Sequence, residues 1–151
     1  MNIQVIIECE VGSDQRNVFD EVTLQDKVTF TVARRYPFPY GFIQNTKSGD
    51  GDCLDCFVLT KQALKSKSMA EVEVIGMFEQ FETRDGIKKD DHKIIARIEN
   101  ENVEVNEEIK NILKEFVLHV WDYRIGKKVE VGKFYGKEEA EALVKRLRLP
   151  S

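Results

Sequence analysis

Residues 48–57 read Ser-Gly-Asp-Gly-Asp-Cys-Leu-Asp-Cys-Phe, with three carboxylates in six positions leading straight into an apolar run. Like charges held this close repel one another, and a nearby cation relieves the repulsion. The glycines let the backbone turn sharply, and Leu54, Cys56, Phe57 and Val58 predict a buried strand. A rigid acidic loop at the mouth of a strand suits a hard divalent metal. Oxygen-only ligands favour Mg²⁺, Mn²⁺ or Ca²⁺ over zinc or copper. The plain alternative is a solvated acidic turn, because Asp and Gly are ordinary turn residues. An EF-hand is excluded: it needs glycine at the sixth position and glutamate at the twelfth, where counting from Asp50 gives Asp55 and Lys61.

Outward from this loop, strand patterns dominate the first two-thirds of the chain. Ile3, Val5, Ile7, Cys9 and Val11 alternate with polar residues and leave Glu8 and Glu10 on the opposite face. Val28, Phe30 and Val32 alternate with Thr29 and Thr31. Tyr36-Pro37-Phe38-Pro39-Tyr40-Gly41 predicts a stiff aromatic loop, since each proline fixes its own φ and restrains its predecessor. Further strands are expected at 56–60, 71–78, 92–98 and 127–134. Two helices follow. Asn106 can cap the first, with Glu107 and Glu108 in its first turn and Ile109, Ile112, Leu113, Phe116, Val117 and Val120 at helical spacing. The second starts near Lys137, carries Ala140, Leu143, Val144 and Leu147 on one stripe, and ends in basic residues. Many short strands followed by helices predict an α+β fold, with a small closed barrel as the way to avoid exposed edges.

The chain has 151 residues, enough to bury a core as one domain spanning 1–151. A formal net charge of −4 argues against nucleic acid and anionic membrane surfaces as partners. No apolar run is long enough to cross a bilayer, and the N-terminus lacks a basic leader, so a cytoplasmic protein is expected. A homo-oligomer is expected, of a size the sequence leaves open. Cys9, Cys53 and Cys56 do not suggest a disulfide framework. Cys53 and Cys56 have C-x-x-C spacing, but no second ligand pair accompanies them, and the neighbouring aspartates would raise the thiol pKa. They are read as small apolar fillers. Neither His92 nor His119 has a triad partner or metal-spaced mate nearby in sequence.

A second acidic cluster, Asp85, Asp90 and Asp91, brackets a basic turn and precedes Lys93. Alone it reads as a hydrophilic hairpin loop. With the first cluster, and Glu8 from the polar face of the first strand, it can ring a site for several divalent ions facing a polyphosphate. Lysine, arginine and tyrosine must then supply the remaining neutralisation, and Lys27, Arg34, Arg35, Tyr36, Tyr40, Lys93, Tyr123 and Arg124 are available.

These residues carry a resemblance. Asp50-Gly51-Asp52-Cys53-Leu54-Asp55 resembles the D-x-D-P-x-D loop of soluble family I inorganic pyrophosphatases. Ile6-Ile7-Glu8 resembles that family's first-strand glutamate, and Tyr36 to Ile43 its Y-P-x-N-Y-G-x-I segment. Asp85, Asp91 and Lys93 resemble its D-x4-D-x-K element with one extra residue, which leaves Asp90 as an alternative to Asp91. Tyr123-Arg124 resembles its Tyr-Lys pair. The order holds over nearly the full chain.

The resemblance implies an OB-like five-stranded antiparallel β-barrel with two flanking C-terminal helices, and Mg²⁺-dependent hydrolysis of pyrophosphate, with Mn²⁺ as a substitute ion. It implies Asp50, Asp55, Asp85 and Asp91 as metal ligands, Glu8 on the metal side through water, and Asp52 as general base or water orienter. It assigns phosphate binding to Tyr40, Lys93, Tyr123 and Arg124, with Lys27 standing where the family has arginine. Val18 replaces a phosphate-binding lysine. Either Arg34 or Arg35 would restore the lost charge if it turned into the site; the alternative is a pair of solvated surface arginines. Two other functions stay open: hydrolysis of another phosphoanhydride, and a non-catalytic metal- or phosphate-binding module on the same scaffold.

Overall fold

Alternation near the N-terminus produces strand β1 (Asn2–Cys9), whose Ile3, Val5 and Ile7 enter one core cluster while Ile6 and Glu8 face the other way. The computed structural model describes residues 1–150; Ser151, the last residue of the expected domain, lies outside them. β1 pairs antiparallel with β4 (Tyr40–Ile43) and with the start of the long strand β6 (Met69–Arg84). β4 continues to β5 (Leu54–Val58), β5 to β8 (Lys93–Ile98), and β8 back to β6. These pairings close a ring of five strands, the expected OB-like barrel. Four of the five pairings are antiparallel. β5 and β8 run parallel, a correction to the all-antiparallel expectation, because the β6–β7 excursion between them returns the chain in the same direction.

The ring is packed on both faces. Val5, Ile7, Leu54, Cys56, Val58, Val74, Ile94 and Ala96 form one cluster, joined by Ala140, Leu143 and Val144 of α2 (Lys137–Leu147). On the opposite face of β5 and β8, Phe57 and Ile95 pack with Phe78, Tyr40 and the Leu113, Phe116 and Val117 stripe of α1 (Glu107–His119). Burial on both faces explains why β5 reads as a continuous apolar run rather than an alternating one. Each such fully buried side chain contributes about 1.5–3 kcal/mol of burial free energy. α1 starts where expected: Asn106 Oδ1 accepts a hydrogen bond from the Ile109 backbone N–H at 2.9 Å.

Three strands lie where none was expected. β2 (Gln15–Phe19) pairs with β3 (Asp26–Thr31) in a separate two-stranded sheet. β4 begins at Tyr40, so the aromatic proline loop ends one residue before a strand. Gly41 permits this, since a Cβ there would collide with the Ile6 carbonyl across the β1–β4 pair. β7 (Ile87–Asp90) forms a hairpin with the end of β6, and β9 (Lys127–Gly136) runs along β6 from Gly76 to Arg84. Among the described residues no helix is long and apolar enough to cross a membrane.

Candidate active site

Strand alternation puts Glu8, Tyr40, Asp55 and Lys93 on the face of the ring opposite its α2-capped cluster. The loop between β4 and β5 then folds over them. Within it Asp50 Oδ1 accepts from the Asp52 backbone N–H at 3.0 Å, and Ser48 N–H donates to the Asp52 carbonyl at 2.7 Å. Glu21 anchors the far side, its carboxylate accepting from the Cys53 N–H at 3.1 Å. A Cβ on Gly49 would press on the side chain and backbone of Asp90, so this glycine lets the loop close onto the Asp90–Asp91 segment.

The result is convergence across sequence. Carboxylate oxygens of Asp50, Asp55 and Asp91 lie within 4.8 Å of one another. Asp55 and Lys93 face each other in the parallel β5–β8 register. Lys93 Nζ donates to Asp55 Oδ2 at 2.6 Å and to Asp91 Oδ1 at 2.9 Å, with all three side chains buried. Those two carboxylates hold the lysine firmly protonated, well above its usual range, against the opposing effect of burial. Burial pushes the Asp50 carboxyl up to about 8, with Asp91 and Asp55 adding repulsion. One lysine charge faces two of these aspartates and the third has no such partner, so carboxylates outnumber cations here and the wall fits a divalent cation with oxygen ligands.

Glu8 is buried beside this wall and bonded to Arg16, with Nη1 3.0 Å from Oε1. Desolvation lifts Glu8 to about 7 despite the arginine. Arg16 also lies over the Tyr40 ring, 5.2 Å from its centroid, and Lys93 approaches the same ring at 5.6 Å. Burial holds the Tyr40 hydroxyl far above its ordinary pKa, so it remains a donor.

A cavity of about 530 Å³ opens in front of these groups. Glu8, Asp50, Asp52, Asp55 and Asp91 line one side, with Asp52 exposed at the loop tip. Lys27 and Arg124 line it as expected, and Tyr40 and Lys93 form its floor. Arg124 packs over the rings of Phe30 and Trp121.

The structure does not bring in every expected residue. Asp85 sits at the β6–β7 turn with φ of 54°, followed by Gly86 at 76°, and lies outside the carboxylate group. Positive φ at both positions marks the two-residue hairpin that Asp-Gly favours, so Asp85 serves the turn. Of the two candidates beside it, Asp91 joins the group, while the Asp90 side chain is exposed and lies 3.7 Å from His92. Tyr123 is 58% exposed and does not line the cavity. Arg34 pairs with Glu115 and Asp122, and Arg35 donates to the Gly12 carbonyl; neither reaches the cavity.

Other residues line the cavity instead, and of these Arg84 and Lys127 bring positive charge. Gln80, Glu82 and Arg84 alternate along the end of β6 and face the cavity, as does Lys127 at the start of β9. Lys127 Nζ lies 3.5 Å from Glu82 Oε1 and 4.5 Å from the Trp121 ring. Burial lowers its pKa to about 8. The period-2 polar alternation of Gln80, Glu82 and Arg84 was the available sequence signal. For Lys127 there was none beyond its place after a Gly-containing turn. The three cysteines are free and buried, with thiol pKa values raised by desolvation, Cys53 to about 12. They are inert fillers.

Known proteins share this sequence pattern and fold. A sequence profile described as inorganic pyrophosphatase matches residues 5–148. An inorganic pyrophosphatase of Nanoarchaeum equitans is 34% identical, covering 97% of this chain and 95% of its own. That of Aquifex pyrophilus is 31% identical, over 96% and 86% of the two chains. The solved structure of the Thermus thermophilus inorganic pyrophosphatase superposes with a TM-score of 0.86 at 25% identity, covering 97% of this chain and 88% of that one. The Helicobacter pylori enzyme has the same fold, with a TM-score of 0.83 at 24% identity over 97% and 91%. With nearly its whole length matched and its carboxylates gathered on one wall, this chain belongs to the inorganic pyrophosphatase family.

Proposed function

We propose that this chain, acting as a single domain, hydrolyses inorganic pyrophosphate to two phosphates with Mg²⁺ as cofactor. The observation that carries the proposal is the meeting of Asp50, Asp55 and Asp91 within 4.8 Å on one side of a cavity lined elsewhere by lysine and arginine. Asp50, Asp55 and Asp91 would hold the metal, with Glu8 behind them. When bound, Mg²⁺ supplies charge neutralisation on phosphate oxygens and lowers the pKa of the attacking water. Asp52, exposed at the loop tip and lining the cavity, would serve as the proton acceptor for an attacking water. Lys93 and the Tyr40 hydroxyl bind phosphate oxygens from the floor. Lys27, Arg84, Arg124 and Lys127 neutralise the phosphate that leaves, a role their reach into the cavity suits.

A phosphate-release assay with saturating Mg²⁺ tests the reading, with pyrophosphate, a nucleoside triphosphate and tripolyphosphate offered in parallel. Pyrophosphate should be the preferred substrate, yielding two phosphates per molecule consumed. Preference for either larger substrate would reassign the site to a different phosphoanhydride, and no release from any would leave a binding module.

A further inference from the structure

Among the described residues a single buried side-chain oxygen lacks a hydrogen-bond partner, Oε1 of Gln80. The residue is 6% exposed and lines the cavity. Its other amide atom is committed: Nε2 donates to Asp91 Oδ2 at 3.3 Å. That bond sets the orientation of the amide, because a flip would turn its oxygen against the carboxylate. The backbone is equally fixed. The Gln80 N–H donates to His92 Nδ1 at 3.1 Å, and its carbonyl accepts from the Asp91 N–H at 2.8 Å. Gln80 is thus tied to Asp91 twice, through its amide nitrogen and its backbone carbonyl, while the amide oxygen beside that nitrogen has no donor.

A buried acceptor without a donor is costly, and native structures keep one only when something else satisfies it. Hard divalent cations accept amide carbonyl oxygens alongside carboxylates. We propose that Gln80 contributes a neutral oxygen ligand to the divalent cation held by Asp91, an inference that rests on the metal-binding reading above. It explains why a neutral amide stands there: a carboxylate beside Asp91 would add a further negative charge to Asp50, Asp55 and Asp91.

The test measures metal binding without substrate, using Mn²⁺ by electron paramagnetic resonance and Mg²⁺ by thermal shift, on the parent, Gln80→Met and Gln80→Glu. The parent should bind Mn²⁺ saturably; failure there would sink the metal-binding reading itself rather than the role of Gln80. Gln80→Met should weaken Mn²⁺ binding about tenfold, since it keeps shape and removes the oxygen. Gln80→Glu should lower the melting temperature of the metal-free protein yet tighten Mn²⁺ about tenfold, because affinity follows ligand charge. If Gln80 only positions Asp91, the glutamate repels that carboxylate and binds Mn²⁺ no better than the parent. Either that result, or Gln80→Met binding within twofold of the parent, overturns the proposal. Should Gln80→Met fail to fold, Gln80→Glu alone decides.

Discussion

The two sides of the cavity are built in opposite ways. On the acidic side, Asp50, Asp52 and Asp55 come from six consecutive residues, and Asp91 joins them through the β5–β8 pairing, two residues from Lys93. On the cationic side, Arg16, Lys27, Arg84, Arg124 and Lys127 come from β2, β3, β6, the α1–β9 connection and β9. The difference follows from side-chain length. Short carboxylates that must share one cation need their backbones fixed within a few ångströms, so their spacing is constrained. Long, flexible lysine and arginine stems reach one phosphate from many backbone positions, so those residues can move through the sequence without losing the charge they deliver.

The largest test of that contrast lies on the acidic side. Asp52→Asn keeps shape and removes a proton acceptor, so turnover should fall by roughly 10²–10⁴, the usual share of general acid–base catalysis. The Mg²⁺-induced rise in melting temperature should survive, because Asp52 lies outside the converging carboxylate group. A turnover equal to the parent's would remove Asp52 from the chemistry.

On the cationic side single losses should be gentler. Lys127→Met should raise KM for pyrophosphate about tenfold, the equivalent of roughly 1.4 kcal/mol, with Mg²⁺ affinity unchanged. With a pKa lowered to about 8, Lys127 loses its proton above that pH, so the parent's KM should climb on the alkaline side. Lys127→Arg should flatten that climb, since arginine stays charged. A KM insensitive to both substitutions would place the phosphate elsewhere in the cavity.

Metal-free stability gives a smaller, electrostatic signal. Burial raises Glu8 from 4.5 to about 7 and Asp50 from 3.8 to about 8. Between the ordinary carboxylate range and about pH 8 the folded protein therefore holds protons that the unfolded chain has released. Stability should fall as pH rises through that window. The melting temperature without metal should thus be higher at pH 5.5 than at pH 8, and Mg²⁺ should reverse or erase the slope by favouring the ionised form. A metal-free melting temperature that rises over the same interval would contradict the buried acidic wall.

How much of this was legible in the sequence follows the same division. The acidic loop and both helices were readable from local spacing, whereas Glu8, Tyr40, Asp91 and Lys93, which line the same cavity, were singled out by the family resemblance, with Asp90 left as an alternative to Asp91. Asp85 stands apart from the carboxylate group: with Gly86 it forms a hairpin turn at positive φ, and it shares a smaller neighbouring cavity with Asp50 and Asp52. Tyr123 fitted a two-residue pattern, but the chain turns it outward, and Lys127 four positions later occupies the cavity. Gln80 and Arg84 were missed because β6 runs 16 residues, and its last polar alternation resembled an ordinary exposed hairpin. Nothing local showed that β9 would cover its other edge. The smallest predicted effect checks this account: Asp85→Asn and Arg34→Ala should each change stability by no more than about 0.5 kcal/mol and leave kcat/KM intact. Asparagine tolerates the left-handed backbone at position 85. A tenfold loss of kcat/KM in either variant would return that residue to the site.

The most direct test of the central claim, that buried carboxylates brought together from two segments hold the cation for pyrophosphate hydrolysis, is a Mg²⁺ titration of phosphate release at fixed pyrophosphate. The parent should show no release in chelator and a saturable rise with Mg²⁺, and Asp55→Asn should need at least tenfold more Mg²⁺ for half its maximal rate. A parent rate that persists in chelator, or an Asp55→Asn curve that superimposes on the parent's, would contradict it.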